Sequence, residues 1–302
     1  MPASVSLEWL GCATFRVRAG GRTLFFDTFV DRIAAAEPVG VRSAEVADAD
    51  FLFISHTHLD HVLGADTIAR NTGAPVVGSY ETMRVMAGCG VPAAQRWAVS
   101  GGETVHCSEG VSVRVLPALH SCLWAAGEED SGAPCLGDLG VGLAERRTRT
   151  QRVVEELHTM TPEVEAYLAP EHERTSREDG GQLAYLLGTP DGSILFSSSA
   201  GCWSALFRGL RPDLAILAVA GRPNVDGEPF QGSLAEFIAT EVELLEPRAV
   251  AFCHHDAWMP PIPAVDVAPI VAELERRTPH VPIIELEIGT PFSPLSPAAP
   301  AL

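Results

Sequence analysis

A chain of 302 residues with 46% hydrophobic content has ample apolar material for a core and is too long for a small disulfide scaffold. Thirty-nine acids against twenty-one bases give a net charge of −18, which repels polyanions and sets nucleic acid aside as a partner. All twenty-one bases are arginine, so Schiff-base chemistry and lysine-assisted phosphate binding are excluded. No apolar run reaches membrane length, and residues 1–4 lack the charged and apolar regions of a signal peptide. Seven cysteines without paired spacing read as reduced thiols, and the expectation is a cytoplasmic protein with no membrane span. Self-association stays open.

In chain order, strands are expected at 5–9, 13–17, 23–26, 51–55 and 75–78, with helices at 63–71 and 80–87. Strands at 103–107 and 111–116 follow. The second half repeats the alternation, with strands at 183–187, 193–197, 214–219 and 250–253 and helices at 233–245 and 265–276. Asp191-Gly192 marks a hairpin turn. Residues 121–180 interrupt the pattern and hold thirteen of the thirty-nine acids. They contain one amphipathic helical pattern at 145–160, with Val153, Leu157 and Met160 at helical spacing. A stretch of this length reads as a cover over a site or as surface elaboration. Cys122, Leu123 and Trp124 at its start are candidates for an apolar lining. The expected organisation is one domain over 1–290 that includes this insertion, followed by a proline- and alanine-rich tail at 291–302.

The densest chemistry is His56-Thr57-His58-Leu59-Asp60-His61, which follows the apolar run 49–55. Three imidazoles and a carboxylate at the mouth of a strand suit zinc, manganese or iron. Alternate residues of an extended chain point the same way, so His56 and His58 can share one metal. A turn would bring Asp60 and His61 to a second position. His120 stands at the end of another apolar strand. Among the cysteines, Cys12, Cys202 and Cys253 lie close in sequence to these segments. Cys202 is the candidate for a soft metal ligand, and a small buried hydrophobe is the default for the others.

The motif H-x-H-x-D-H resembles the signature of the metallo-β-lactamase superfamily, and further landmarks follow in order. Leu7-Glu8-Trp9-Leu10-Gly11-Cys12-Ala13-Thr14-Phe15-Arg16-Val17 is similar to the "W-L-G-H-A-T-F" opening of one branch. That branch holds the ascorbate-6-phosphate lactonase and N-acyl phosphatidylethanolamine phospholipase D types. The resemblance implies an α/β fold of four layers, an αβ/βα sandwich. It implies a first metal on His56, His58 and His120 and a second on Asp60, His61 and His254. Asp27 matches a strand-terminal aspartate and is read as orienting a histidine rather than binding metal. His254 and His255 compete for one role, and the register of the following residues favours His254. Ser199, His255, Asp256, Trp258 and His172 are candidate substrate contacts.

One landmark is absent. Where the superfamily places an aspartate that bridges two metals, this chain has Ser199 in Ser197-Ser198-Ser199-Ala200-Gly201. A hydroxyl neutralises none of the charge of two close dications. The second metal would bind weakly, or Glu171, Glu173 or Asp179 would compensate, or the chain binds without catalysing. The reading favoured is a metal-dependent hydrolase of a small molecule that opens a lactone or cleaves an ester, amide or phosphodiester. It uses Zn2+, with Mn2+ or Fe as alternatives, in one or two ions, and Asp60 orients or deprotonates the attacking water. A dication lowers the pKa of water from 15.7 to roughly 7. The competing readings are a non-hydrolytic enzyme on the same scaffold, doing rearrangement, elimination or redox chemistry, and a silent binding member.

Overall fold

In the computed structural model, residues 5–125, 141–171, 174–176 and 179–295 are described, together with the backbone alone of His158. In the first half, β1 (Ser6–Trp9), β2 (Phe15–Ala19), β3 (Arg22–Phe26), β4 (Phe51–Phe53), β5 (Val76–Gly78) and β6 (Arg96–Ala98) form one sheet in that order. Helices α1 (Leu59–Val62), α2 (Ala65–Thr72) and α3 (Tyr80–Gly88) lie between its later strands. The chain then runs through β7 (Thr104–Ser108), β8 (Val111–Pro117), α4 (Leu143–His158) and α5 (Pro162–Leu168). Next come β9 (Leu183–Thr189), β10 (Gly192–Ser197), β11 (Gly201–Cys202), α6 (Ser204–Phe207) and β12 (Leu214–Ala218). It ends with β13 (Asn224–Val225), β14 (Glu228–Pro229), α7 (Leu234–Leu245), β15 (Val250–Cys253), α8 (Ala268–Arg277) and β16 (Ile283–Ile284). The second sheet is ordered β16-β15-β12-β10-β9-β8-β7, and β11, β13 and β14 make a small third one.

Alternation of side chains along each strand builds four layers from these sheets. Leu24 and Phe26 of β3 face the core between the sheets, where they meet Tyr185, Ile194 and Phe196. Phe25, between them in sequence, faces the other way and packs with Ile68, Met83 and Met86 of α2 and α3. Leu195 of β10 likewise turns outward, onto Phe237, Ile238 and Ile270 of α7 and α8. Helix, sheet, sheet and helix are thus each sealed by an apolar layer. The hydroxyl of Tyr185 in β9 donates to the carbonyl of Ile54 at 2.6 Å, which ties the second sheet to the chain just before His56. No helix among the described residues is long and apolar enough to cross a membrane.

The expected strands and helices appear with ends shifted by a few residues, and the helix expected at 145–160 runs Leu143–His158. Sequence reading missed β6, an edge strand of which Trp97 and Ala98 are exposed, and the two-residue strands β11, β13, β14 and β16. It also missed α5, whose start is set by Thr161 accepting from the Val164 N–H, with Pro162 following.

Candidate metal centre

The motif leaves β4 at the edge where β3 and β4 end side by side. Asp27, just past β3, receives the Ser55 N–H at 2.7 Å and the Ser55 hydroxyl at 2.8 Å. This fixes where the chain turns toward His56. His58 stays extended and begins α1, the single turn that carries Asp60 and His61 back toward the strands. His120 follows β8, and its Nδ1–H donates to the Ser121 carbonyl at 2.9 Å, which leaves Nε2 as the lone-pair nitrogen facing the other histidines. That Nε2 lies 3.1 Å from His58 Nδ1. His56 Nε2 is buried without a hydrogen-bond partner. The donor nitrogens of His56, His58 and His120 lie within 4.8 Å of one another. Burial, joined by repulsion from neighbouring imidazoles, pushes the pKa values of all three down, that of His58 to about 3, which favours neutral lone-pair donors.

A second group joins Cys12, Asp60, His61 and His254. Asp60 Oδ2 lies 3.0 Å from His254 Nε2, 3.4 Å from His61 Nε2 and 3.9 Å from Cys12 Sγ. His61 Nδ1–H donates to Asp27 Oδ2 at 2.8 Å, which points its Nε2 at Asp60. Burial opposes charge on His61, but Asp60 and Asp27 outweigh it and raise its pKa to about 10. Burial would likewise raise Asp60, and His61 and His254 hold it well below the usual carboxylate range. Two acids with a cationic imidazole between them mark a place where a metal ion would replace a proton. Unpartnered buried nitrogens on one side and a carboxylate sharing one oxygen among three donors on the other fit a metal-binding role. The donor set of imidazole, carboxylate and thiol suits a divalent transition metal.

Both groups open into a cavity of about 270 Å3. Its walls are largely apolar, including Leu59, Leu123, Val153, Leu157, Trp258 and Ile262. Val153 and Leu157 come from α4, so the insertion reaches over the donors. Trp258 stands edge-on to His254, with ring centroids 5.7 Å apart. Ser199 lines the cavity, and its Oγ accepts from the Ser121 N–H at 3.1 Å. Asp179 borders a smaller adjoining pocket with His58, His120 and Trp124.

Three expectations need correction. His255 does not line the cavity; it stacks on the Trp9 indole, with ring centroids 4.9 Å apart. Asp256 is not a cavity residue either. Its carboxylate is taken up by the buried Arg32 at 2.7 Å and by the Cys12 N–H at 2.9 Å. Cys202 is fully buried in the apolar layer under α7 and joins neither donor group. Glu171 pairs with Arg174 at 3.2 Å, and His172 and Glu173 lie outside the described residues. Sequence reasoning missed Cys12 as a potential donor, although the signal was there: it stands where the opening motif has histidine, and both side chains can ligate a metal.

The four-layer sandwich with paired donor groups at one sheet edge defines a class of metal-site proteins. The Beta-lactamase superfamily domain matches residues 22–137. A metal-dependent hydrolase of Pyrobaculum arsenaticum is 36% identical over 118 residues, 39% of this chain and 51% of that one. The chain thus spans about half the length of the curated relatives it matches. Igni18, a metallo hydrolase from Ignicoccus hospitalis, superposes with a TM-score of 0.59 at 16% identity, covering 96% of this chain and 98% of that one. CmlA, a diiron β-hydroxylase from Streptomyces venezuelae, gives a TM-score of 0.58 at 17% identity, covering 97% of this chain and 55% of that one. The family match thus covers most of the first sheet and the histidine motif, and the likeness to Igni18 extends the same fold over nearly the whole chain.

Proposed function

We propose that this protein is a metal-dependent hydrolase of a small, uncharged substrate carrying an apolar group. The observation that carries this reading is the meeting of the two donor groups at the floor of an apolar-walled cavity. In this reading His56, His58 and His120 hold one metal, and Asp60, His61 and His254 hold another. Zinc is the first choice for such nitrogen and oxygen donors, with manganese or iron as alternatives. A bound dication supplies Lewis acidity: it acidifies water and polarises the oxygen of the bond under attack.

The chain's own residues do the rest. Asp60 accepts the proton of the attacking water, and Asp27 keeps His61 oriented through Nδ1. Val153, Leu157 and Trp258 exclude bulk water and bind the apolar part of the substrate, which makes α4 a cover for the site. Residues 1–290 act as one domain with 121–180 as its covering insertion. None of the described residues lining the cavity is an arginine, and the chain has no lysine. Apart from the metal-holding histidines and the metals themselves, an anionic phosphodiester would find no arginine or lysine to pair with there, which favours a lactone, ester or amide.

Elemental mass spectrometry of protein purified without chelators, on wild type and His58→Ala, tests this together with hydrolysis of an uncharged lactone and ester panel. About two zinc or manganese ions per chain are expected in wild type, with the first ion and the activity lost in the variant. No metal in either protein would overturn the reading, and iron without hydrolysis would replace it with redox chemistry.

A further inference from the structure

We propose that the Cys12 thiolate is a fourth ligand of the second metal and supplies the negative charge that Ser199 does not. This rests on the metal-centre reading above. The Ser199 hydroxyl is neutral and is already engaged with the Ser121 N–H at 3.1 Å. A dication on Asp60, His61 and His254 alone would keep a net positive charge in a buried place. Cys12 Sγ belongs to that same donor group and lies 3.9 Å from Asp60 Oδ2. Coordination exchanges the thiol proton for the metal, and the proton leaves to solvent.

The local backbone holds the sulfur there. Cys12 takes a left-handed conformation, with φ +47°. Its N–H donates to Asp256 Oδ1 at 2.9 Å. Its carbonyl accepts from the Trp9 indole N–H and from the His254 backbone N–H, both at 2.9 Å. The carbonyl bond from His254 links the cysteine turn to another donor of the group. Gly11 lets the turn pass, because a Cβ there would collide with the Arg32 guanidinium that holds Asp256. The residue types also separate the two positions chemically. Three imidazoles leave one position of a tetrahedral metal open, whereas two imidazoles, a carboxylate and a thiolate fill four, the pattern of a site that holds structure rather than one that binds substrate.

The test is titration of the metal-depleted protein with Co2+ alone, followed by absorption spectroscopy, for wild type, Cys12→Ser and Cys202→Ser. The expected result is a near-ultraviolet sulfur-to-cobalt charge-transfer band in wild type and Cys202→Ser. Cys12→Ser should lose that band and keep the visible ligand-field bands of the histidine site. Ligand-field bands with no charge-transfer band in wild type would overturn the role of Cys12 while leaving the metal centre standing. No cobalt spectrum at all would overturn the metal centre itself. Should Cys12→Ser fail to fold, X-ray absorption of zinc-loaded wild type decides. A sulfur neighbour at about 2.3 Å supports the assignment, and a shell of nitrogen and oxygen alone refutes it.

Discussion

Glu241 offers a test of the packing of α7 that does not depend on the metals. It lies on the inner face of that helix, 1% exposed, against the apolar outer layer of the second sheet. Burial pushes its carboxyl pKa up from the ordinary 4.5 to about 8, even though a hydrogen bond with Ser197 pulls the other way. Its Oε1 has no partner. The folded protein therefore keeps this proton up to about pH 8, while the unfolded chain releases it near 4.5. Between those values the unfolded state binds fewer protons than the native one, so stability falls as pH rises. The loss begins near pH 4.5 and is complete above about 8. At about 1.4 kcal/mol per pKa unit, the whole change is on the order of 4–5 kcal/mol, a large part of a domain's stability. Glu241→Gln keeps the size and hydrogen bonding of the side chain and removes the titration. Urea unfolding of both proteins at pH 5, 7 and 9, at fixed metal content, isolates this residue because every other group titrates in both. The variant should match wild type at pH 5 and exceed it progressively to pH 9. A difference that does not change with pH would mean that Glu241 ionises as a solvated carboxylate, and the packing argument for α7 would be wrong.

In the Cys12→Ser variant, replacing Ser199 with aspartate should raise the number of metal ions per chain, read by elemental mass spectrometry, because the carboxylate returns the charge lost with the thiolate; unchanged stoichiometry would count against the account of the second position. Leu157→Ala removes part of the apolar roof and should raise KM for substrates with bulky apolar groups by roughly five- to tenfold while kcat holds, the mark of lost uniform binding. An equal fall in kcat would place Leu157 nearer the chemistry than proposed. In chelated protein, burial keeps His58 neutral down to about pH 3, whereas an unfolded imidazole protonates below 6.5. Stability present above 6.5 is therefore lost as pH falls toward 3, and calorimetry of the metal-free Glu241→Gln variant, in which the opposing titration of Glu241 is removed, should show the Tm dropping over that range. A flat Tm between pH 7 and 5 would sink that expectation.

The parts of this molecule written in local pattern were legible from sequence. The run 49–55 ended where the histidines begin, and the apolar strands placed His120 and His254 at strand ends. What was not legible depends on long-range pairing. Whether the acid at 256 faces a substrate or an arginine is decided by Arg32, which lies 224 positions earlier in the chain. His255 is neighbour to a donor, but one residue further on the side chain points to the other side and meets Trp9. Cys202 and Cys12 have the same chemistry, and only the folded chain reveals that one is sealed under α7 while the other faces Asp60. The edge strand β6 lacks an apolar alternation because Trp97 and Ala98 are exposed, so its register comes from β5 rather than from its own residues.

The aim of the donors rests less on the sheets than on the turns that leave them. Among the described residues, six non-glycine residues adopt positive φ, and three of them, Cys12, Asp27 and His254, belong to this centre. Each such residue costs on the order of 1–3 kcal/mol and persists only where its surroundings over-determine it. Here they do: Asp27 is held by Ser55 and His61, and Cys12 and His254 are hydrogen-bonded to each other through the main chain. Glycine at any of the three would relax the backbone and remove the functional side chain at once. The turns are therefore strained because regular strand endings would send these side chains elsewhere, which is the usual conflict between stability and function at an active site.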